Sequence, residues 1–246
     1  MVKFIVFCTK IIAATIAAVL FSSCHTNISW GEGLDGNGKV ITEKRNVEGN
    51  FSKVDVSRGL NVTLEQADTY FVEVEADQNL QEHITTKVEN GTLFITSDEN
   101  IDEATAKNIR VKLPSLMTLT TTSGASVTTK NTFSGTDIEV KASSGSEADL
   151  NLEFDNVKCE TSSGGSLTVK GKALKLTTHS SSGSEIDARG LLVNEVVSES
   201  SSGSSTDVNP IVSLNAKASS GGSIDYSSSP KTVVKEESSG GSVSKE

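Results

Sequence analysis

The sequence predicts an all-β protein folded as a parallel β-solenoid, a right-handed β-helix with coils of about 19 residues. Three observations carry that expectation. A Ser-Gly marker recurs with its glycine at Gly124, Gly145, Gly164, Gly183, Gly203, Gly221 and Gly240, at intervals of 21, 19, 19, 20, 18 and 19. Seven residues before these glycines stand Met117, Ile138, Val157, Leu176, Val196, Leu214 and Val233, all apolar in a Ser- and Thr-rich stretch. Three residues after them stand Val127, Ala148, Leu167, Ile186, Thr206, Ile224 and Val243, apolar but for one, with polar residues on either side throughout. A flexible Gly/Ser linker would keep this composition and lose the period.

The elements follow from that pattern. Alternation after each glycine is the period-two signature of a half-buried strand. Each repeat therefore reads as one short strand, a turn at Ser-Ser-Gly and a second short strand. Clustered Ser, Thr, Val and Gly, with no 3.6-residue period, disfavour helix. Two short strands cannot bury an apolar face alone. Stacking equivalent strands of successive repeats, about 4.8 Å apart, can. The marker glycine supplies a positive φ at the corner, and small serines let corners stack.

Before residue 117 the period is lost but the strand language continues, in "FSKVDVSRG", "LNVTLEQ", "YFVEVEA", "GTLFITS" and "NIRVKLPS". Residues 40–116 read as less regular coils of the same solenoid. The stretch "DQNLQEHITTKVEN" reads as an irregular insertion with room for one helical turn. At the other end, two core columns switch to Lys235 and Lys245, so 117–246 reads as a regular β-helix closed by a polar terminal coil. The strand edges of an open solenoid invite self-association, which such a polar coil discourages.

The first 23 residues read as a leader. Lys3 and Lys10 precede the apolar run "IIAATIAAVLF", too short for a spanning helix. The run ends "LFSSC", which resembles a bacterial lipobox, with Phe21 in place of the usual Leu or Val and Cys24 as the lipidated residue. The expected membrane contact is a lipid anchor on Cys24. Residues 24–39, with lone Trp30, read as a flexible tether.

Charge and residue types narrow the function. The chain carries a net charge of −10, and −12 without the leader. That opposes nucleic acid as a partner and docking on anionic lipid. With Cys8 in the leader and Cys24 lipidated, Cys159 alone remains, so no intramolecular disulfide is expected. Nor is a zinc site, since His25, His83 and His179 lie at no ligand-like spacing. Cys159 falls on an inward column and reads as a small core residue with no activating cation nearby. No nucleophile, acid–base set or nucleotide loop is visible, so no catalytic residue and no cofactor are expected. Asp187, Asp207 and Asp225 fall on one outward column about 5 Å apart. Such an acidic ladder is either solvated or compensated, by a nearby cationic side chain or by a hard cation such as Ca²⁺.

The runs "VEADQNL" and "VKLPSL" leading into "SGAS", together with the Ser-Ser-Gly repeats, resemble the putative auto-transporter adhesin, head GIN domain family over roughly residues 38–230. The resemblance implies a β-helix similar in outline to pectin-lyase-like folds. It also implies an outer-membrane lipoprotein of Bacteroidetes-type bacteria with an adhesive role, and offers no catalytic residues. The expectation is a non-enzymatic cell-envelope protein binding a glycan or protein. The alternative is an envelope scaffold, and further behind stands a polysaccharide-active enzyme.

Overall fold

A computed structural model describes residues 33–246. The leader, Cys24 and the first part of the tether fall outside the described residues. The strands are β1 (Val40–Lys44), β2 (Lys53–Val56), β3 (Asn61–Gln66), β4 (Phe71–Asp77), β5 (Ile84–Glu89), β6 (Thr92–Ser97), β7 (Lys107–Leu113), β8 (Thr118–Thr121) and β9 (Ser126–Thr129). There follow β10 (Phe133–Ser143), β11 (Glu147–Ser162), β12 (Ser166–Ser180), β13 (Glu185–Ser200), β14 (Ser205–Ala218), β15 (Ser223–Tyr226), β16 (Thr232–Glu237) and β17 (Ser242–Lys245).

From β8 onward every pairing is parallel and joins equivalent residues of successive repeats, as in Val140↔Cys159↔Thr178↔Ser198↔Ala216. The chain forms a parallel β-solenoid of about seven turns with coils about 19 residues apart. Each coil runs along a first flank, turns at the serine corner and returns along a second flank. A short third side pairs Phe133↔Leu152↔Gly171↔Leu191.

The corners are two-residue turns with positive φ at both positions. The marker glycines have φ of 67° to 77°, and the serine before each, Ser123 through Ser239, has φ of 50° to 57°. Glycine accepts this region freely, whereas serine is strained there. Stacking holds it in place: the N–H of Gly124, Gly145, Gly164, Gly183 and Gly203 donates to the corner serine carbonyl of the next coil, at 3.1–3.3 Å. The Arg58–Gly59 turn has the same geometry and joins the same ladder, Gly59 N–H donating to Ser123 O at 2.9 Å.

The column three residues after the glycine is buried in every coil, Thr206 included. In the column seven before, Met117 and Val233 at its two ends are exposed, and only the five between them are core. Val233 lies in the last coil and has a neighbour on one side only, whereas Met117 stacks between Ser52 and Ile138 and still points outward.

Residues 40–116 do not simply wind on. β2 pairs in parallel with β8 on one side and β6 on the other, and β3 likewise with β9 and β7. The coil made of β6 and β7 thus stacks before the coil of β2 and β3 although it follows it in sequence. Antiparallel strands allow this: β4 runs against β7, β1 against β4, and β5 against β6. The β5–β6 turn is Asn90-Gly91, both at positive φ, the two-residue hairpin turn that this dipeptide favours. The expected helical turn is a single 3-10 turn, Gln78–Leu80.

"VEADQNLQ" proves to be a polar clamp. The fully buried Asp77 accepts from the N–H groups of Gly38, Thr105 and Ala106 at 2.6, 2.7 and 3.1 Å. Burial pushes its carboxyl up, but those three donors outweigh it and hold the group below the usual carboxylate range. Asn79 bonds Asn37 N–H and Asp35 O, while Gln81 bonds Ile41 O, Val74 O and Arg45. The strand that starts the domain is thereby fastened to its base.

The last coil closes the other end. Lys235 and Glu237 occupy inward columns. Lys235 Nζ lies 4.9 Å from the centre of the Tyr226 ring and donates to Val243 O at 2.8 Å. Glu237 accepts from Val243 N–H at 2.6 Å. Val243 faces away from β15, so the two charges satisfy main-chain groups that β17 would otherwise present as an open edge.

Candidate functional site

The outward face of the first flank carries the richest side-chain chemistry. Four residues before the corner glycines stand Lys141, Glu160, His179, Glu199, Lys217 and Glu236, each in register with the next. The signs alternate along the solenoid if His179 counts as basic. Adjacent members pair: Lys141 with Glu160 at 3.4 Å, His179 with Glu199 at 3.2 Å, Lys217 with Glu236 at 3.8 Å. Lys158 and Glu139 extend the network at its base, where Lys158 Nζ lies 2.9 Å from Glu139 Oε1. Hydrogen bonds from Lys158 hold the Glu139 and Glu160 carboxyls below their ordinary range.

Beside this ladder run Ser143, Ser162, Ser181, Ser201 and Ser219, all half-buried. Ladder and serines line one open groove of about 520 Å³. It runs along the stack, presenting in each coil one ionisable side chain and one hydroxyl. Such a surface can recognise an extended polar partner through repeated hydrogen bonds and ion pairs. A second groove, of about 370 Å³, lies on the third side, where Leu174, Leu192 and Ile211 stand half-exposed near the buried Phe154.

The acidic column lies on the second flank. Asp187, Asp207 and Asp225 are direct neighbours on parallel strands. The cation beside them is a side chain: Arg189 holds Asp187 through Nε and Nη2 at 3.1 and 2.9 Å and keeps its carboxyl below the usual range. Asp207 lies above that range. Burial raises it first; Arg189 lowers it, and Asp187, Glu246 and Asp225 raise it further. Among the described residues no group of three His, Cys, Asp or Glu side chains is arranged to hold a metal ion. Cys159 is fully buried, and burial alone pushes its thiol up to about 12.

Sequence reading missed what lies beneath the corners. The residue after each marker glycine packs on the third residue before the glycine of the previous coil. Ser146 Oγ donates to Thr121 O at 2.8 Å, Ser184 Oγ bonds Thr161 Oγ1 at 2.8 Å, and Ser204 Oγ lies 3.0 Å from Ser180 Oγ. Where the later residue is Gly165, a Cβ would meet Ala142 O at 2.3 Å, and only glycine fits. The signal was in the sequence as a pairing of hydroxyl with hydroxyl between adjacent repeats.

The family model described as "Putative auto-transporter adhesin, head GIN domain" matches residues 50–230. A crystal structure of a putative adhesin from Bacteroides fragilis is similar with a TM-score of 0.80 at 20% identity, covering 87% of this chain and 100% of that one. A putative lipid binding protein from Parabacteroides distasonis (TM-score 0.69, 20% identity) covers 87% and 99%. A putative adhesin from Parabacteroides merdae (TM-score 0.69, 20% identity) covers 87% and 98%. At such identities the likeness is one of fold. A comparison with the curated proteins gives no match.

Proposed function

Since this chain belongs to the putative auto-transporter adhesin, head GIN domain family, we propose that it is a non-enzymatic, adhesin-like binding module of the bacterial cell envelope, held to the outer membrane through lipid on Cys24. The observation that carries the reading is the groove on the first flank. It offers an ionisable side chain and a hydroxyl at every coil, on strands held rigid by the stack. Such regularity suits recognition of an extended polar partner, a glycan or a protein segment. The acidic chain and its lack of a basic stripe speak against nucleic acid. No helix among the described residues is long and apolar enough to cross a membrane.

The test uses the mature chain with Cys24→Ser on glycan and matrix-protein arrays, beside a Lys141→Glu, Lys217→Glu variant. Binding by the first that is reduced by the two reversals supports the reading. No binding to any glycan, matrix protein or bacterial surface overturns it. Protease shaving of intact cells and loss of fatty-acid labelling in Cys24→Ser test the location and the anchor.

A further inference from the structure

The alternating ladder has a symmetry property that names a partner. It has six members, and their signs run basic, acidic, basic, acidic, basic, acidic from Lys141 to Glu236, counting His179 as basic. An alternating series with an even number of members is turned into its own complement when reversed. A two-fold axis lying along the strands, between the coils of His179 and Glu199, would reverse it in this way. Lys141 would then face Glu236 of the second copy, Glu160 would face Lys217, and His179 would face Glu199. Each contact occurs twice, as a two-fold interface requires. An axis along the solenoid would instead set each charge against its own copy, which is repulsive.

The other outward columns of the flank agree with the same axis. Six residues before the glycine, Thr177 would face Val197, Lys158 would face Asn215 and Glu139 would face Val234. Eight before, Lys175 would face Glu195, Asn156 would face Ser213 and Asp137 would face Thr232. No like charges meet, and one more ion pair forms. We infer that the first flank is a self-complementary surface that docks a second copy of this chain with the two solenoids antiparallel.

The area sets the strength. Six coils about 4.8 Å apart and a flank about 20 Å wide give roughly 500 Å² a side, below the roughly 800 Å² of a standard stable interface. The contact is therefore transient between free molecules and strengthens when many copies face one another. The mature chain's net charge of −12 opposes approach. At about 0.15 M salt, where screening acts within roughly 8 Å, that long-range repulsion fades before the short-range pairs do.

The antiparallel arrangement has a cellular consequence, which rests on the proposed anchor. Ten Cα–Cα steps separate Cys24 from Leu34, a reach of at most about 35 Å. Leu34 pairs with Ile101, between β6 and β7, so the tether joins the solenoid at the end opposite β16 and β17. Two antiparallel copies carry their anchors at opposite ends, which fits copies on two facing membranes. The partner of this adhesin-like surface would be the same protein on another cell.

The test is sedimentation of the Cys24→Ser mature chain over a wide concentration range. Reversible dimerisation at about 0.15 M salt, weakened in 1 M salt, is expected. Lys217→Glu should weaken it at least tenfold, and adding Glu160→Lys to that variant should restore it, because the pair is then reversed on both copies. Lys175→Glu with and without Glu195→Lys gives a second swap should the first disturb the fold, which circular dichroism would show. A chain that stays monomeric throughout, or a dimer indifferent to these reversals, overturns the inference. Array binding without self-association would leave the adhesin-like reading standing and remove this one. Beads carrying the chain by its N-terminal end should clump, and beads with Lys217→Glu alone should not.

Discussion

The base of the molecule and its repeat region are stabilised by different means. Large buried aliphatic side chains fill both, such as Leu60, Leu93 and Ile109 in the base and Leu150, Leu167, Leu176, Ile186 and Ile224 in the repeats. From Thr121 onward the interior beneath the corners fills with Thr161, Thr178, Ser180, Ser184, Ser198, Ser200, Ser204 and Thr206. The base joins parallel and antiparallel strands out of chain order, and its buried polar groups, Asp77 and Gln81, reach main-chain partners distant in sequence. The repeats need residues that stack at about 4.8 Å and can satisfy one another. A solenoid can thus carry a partly polar interior provided each hydroxyl finds its counterpart one coil away. An irregular base has no such guaranteed neighbour.

Three experiments would break or sharpen this contrast. The largest effect is expected from Leu93→Ala. Leu93 is fully buried on β6, and truncation there costs about 2–5 kcal/mol. It should lower the melting temperature of the whole domain. Val208→Ala, late in the stack, should instead release hydrogen-exchange protection mainly in β14 to β17, because coils contact only their neighbours. Equal loss of protection everywhere in both variants would show that base and repeats are one cooperative block.

Next comes Ser184→Ala. It strands the buried Thr161 Oγ1, while the N–H of Ser181 loses Ser184 Oγ but keeps Thr161 O, at a cost of about 1–3 kcal/mol. Adding Thr161→Val should recover part of the loss, since an apolar pair of similar shape leaves fewer unmet groups. Chemical denaturation of the single and double variants measures this. A double variant worse than the sum of its parts would count against the hydroxyl pairing.

The smallest effect is on the surface. Asp207 has its folded pKa raised above the unfolded value, so its ionised form opposes folding at neutral pH. Asp207→Asn should therefore raise the melting temperature slightly at pH 7. The gain should fade as pH falls through the folded pKa and vanish below about pH 4, where the wild-type carboxyl is protonated in both states. Melting curves from pH 3 to pH 8 check the sign.

The repeat region was legible because its information is periodic. Gly183 and Ile186 report the same corner and the same inward face as Gly164 and Leu167, so several weak signals add. The base offered no such redundancy. Asn90-Gly91 is a strong hairpin signal, yet it was split between the end of the run read as an insertion and the start of "GTLFITS". Arg58-Gly59 is a corner without the serine that marked the others. Asp77 opened the run read as an insertion and stood in the family-like "VEADQNL", but its role stayed hidden because the three amides it gathers are distant in sequence. The alternation from Lys141 to Glu236 was present from the start, but its members lie about 19 residues apart and mean nothing until the register is known. Cys24, the leader and the first part of the tether lie outside the described residues.

The closure of the last coil through Lys235 and Glu237 on Val243 has an evolutionary corollary. Everything that ends the stack is contained in one terminal unit, so whole coils can be gained or lost upstream by duplication without redesigning either end. Parity is what such drift would disturb. One extra coil in the middle would leave base and closure intact, yet it would set one charge against its own copy at the centre of the antiparallel pair. The number of repeats then tunes how well the surface pairs with itself.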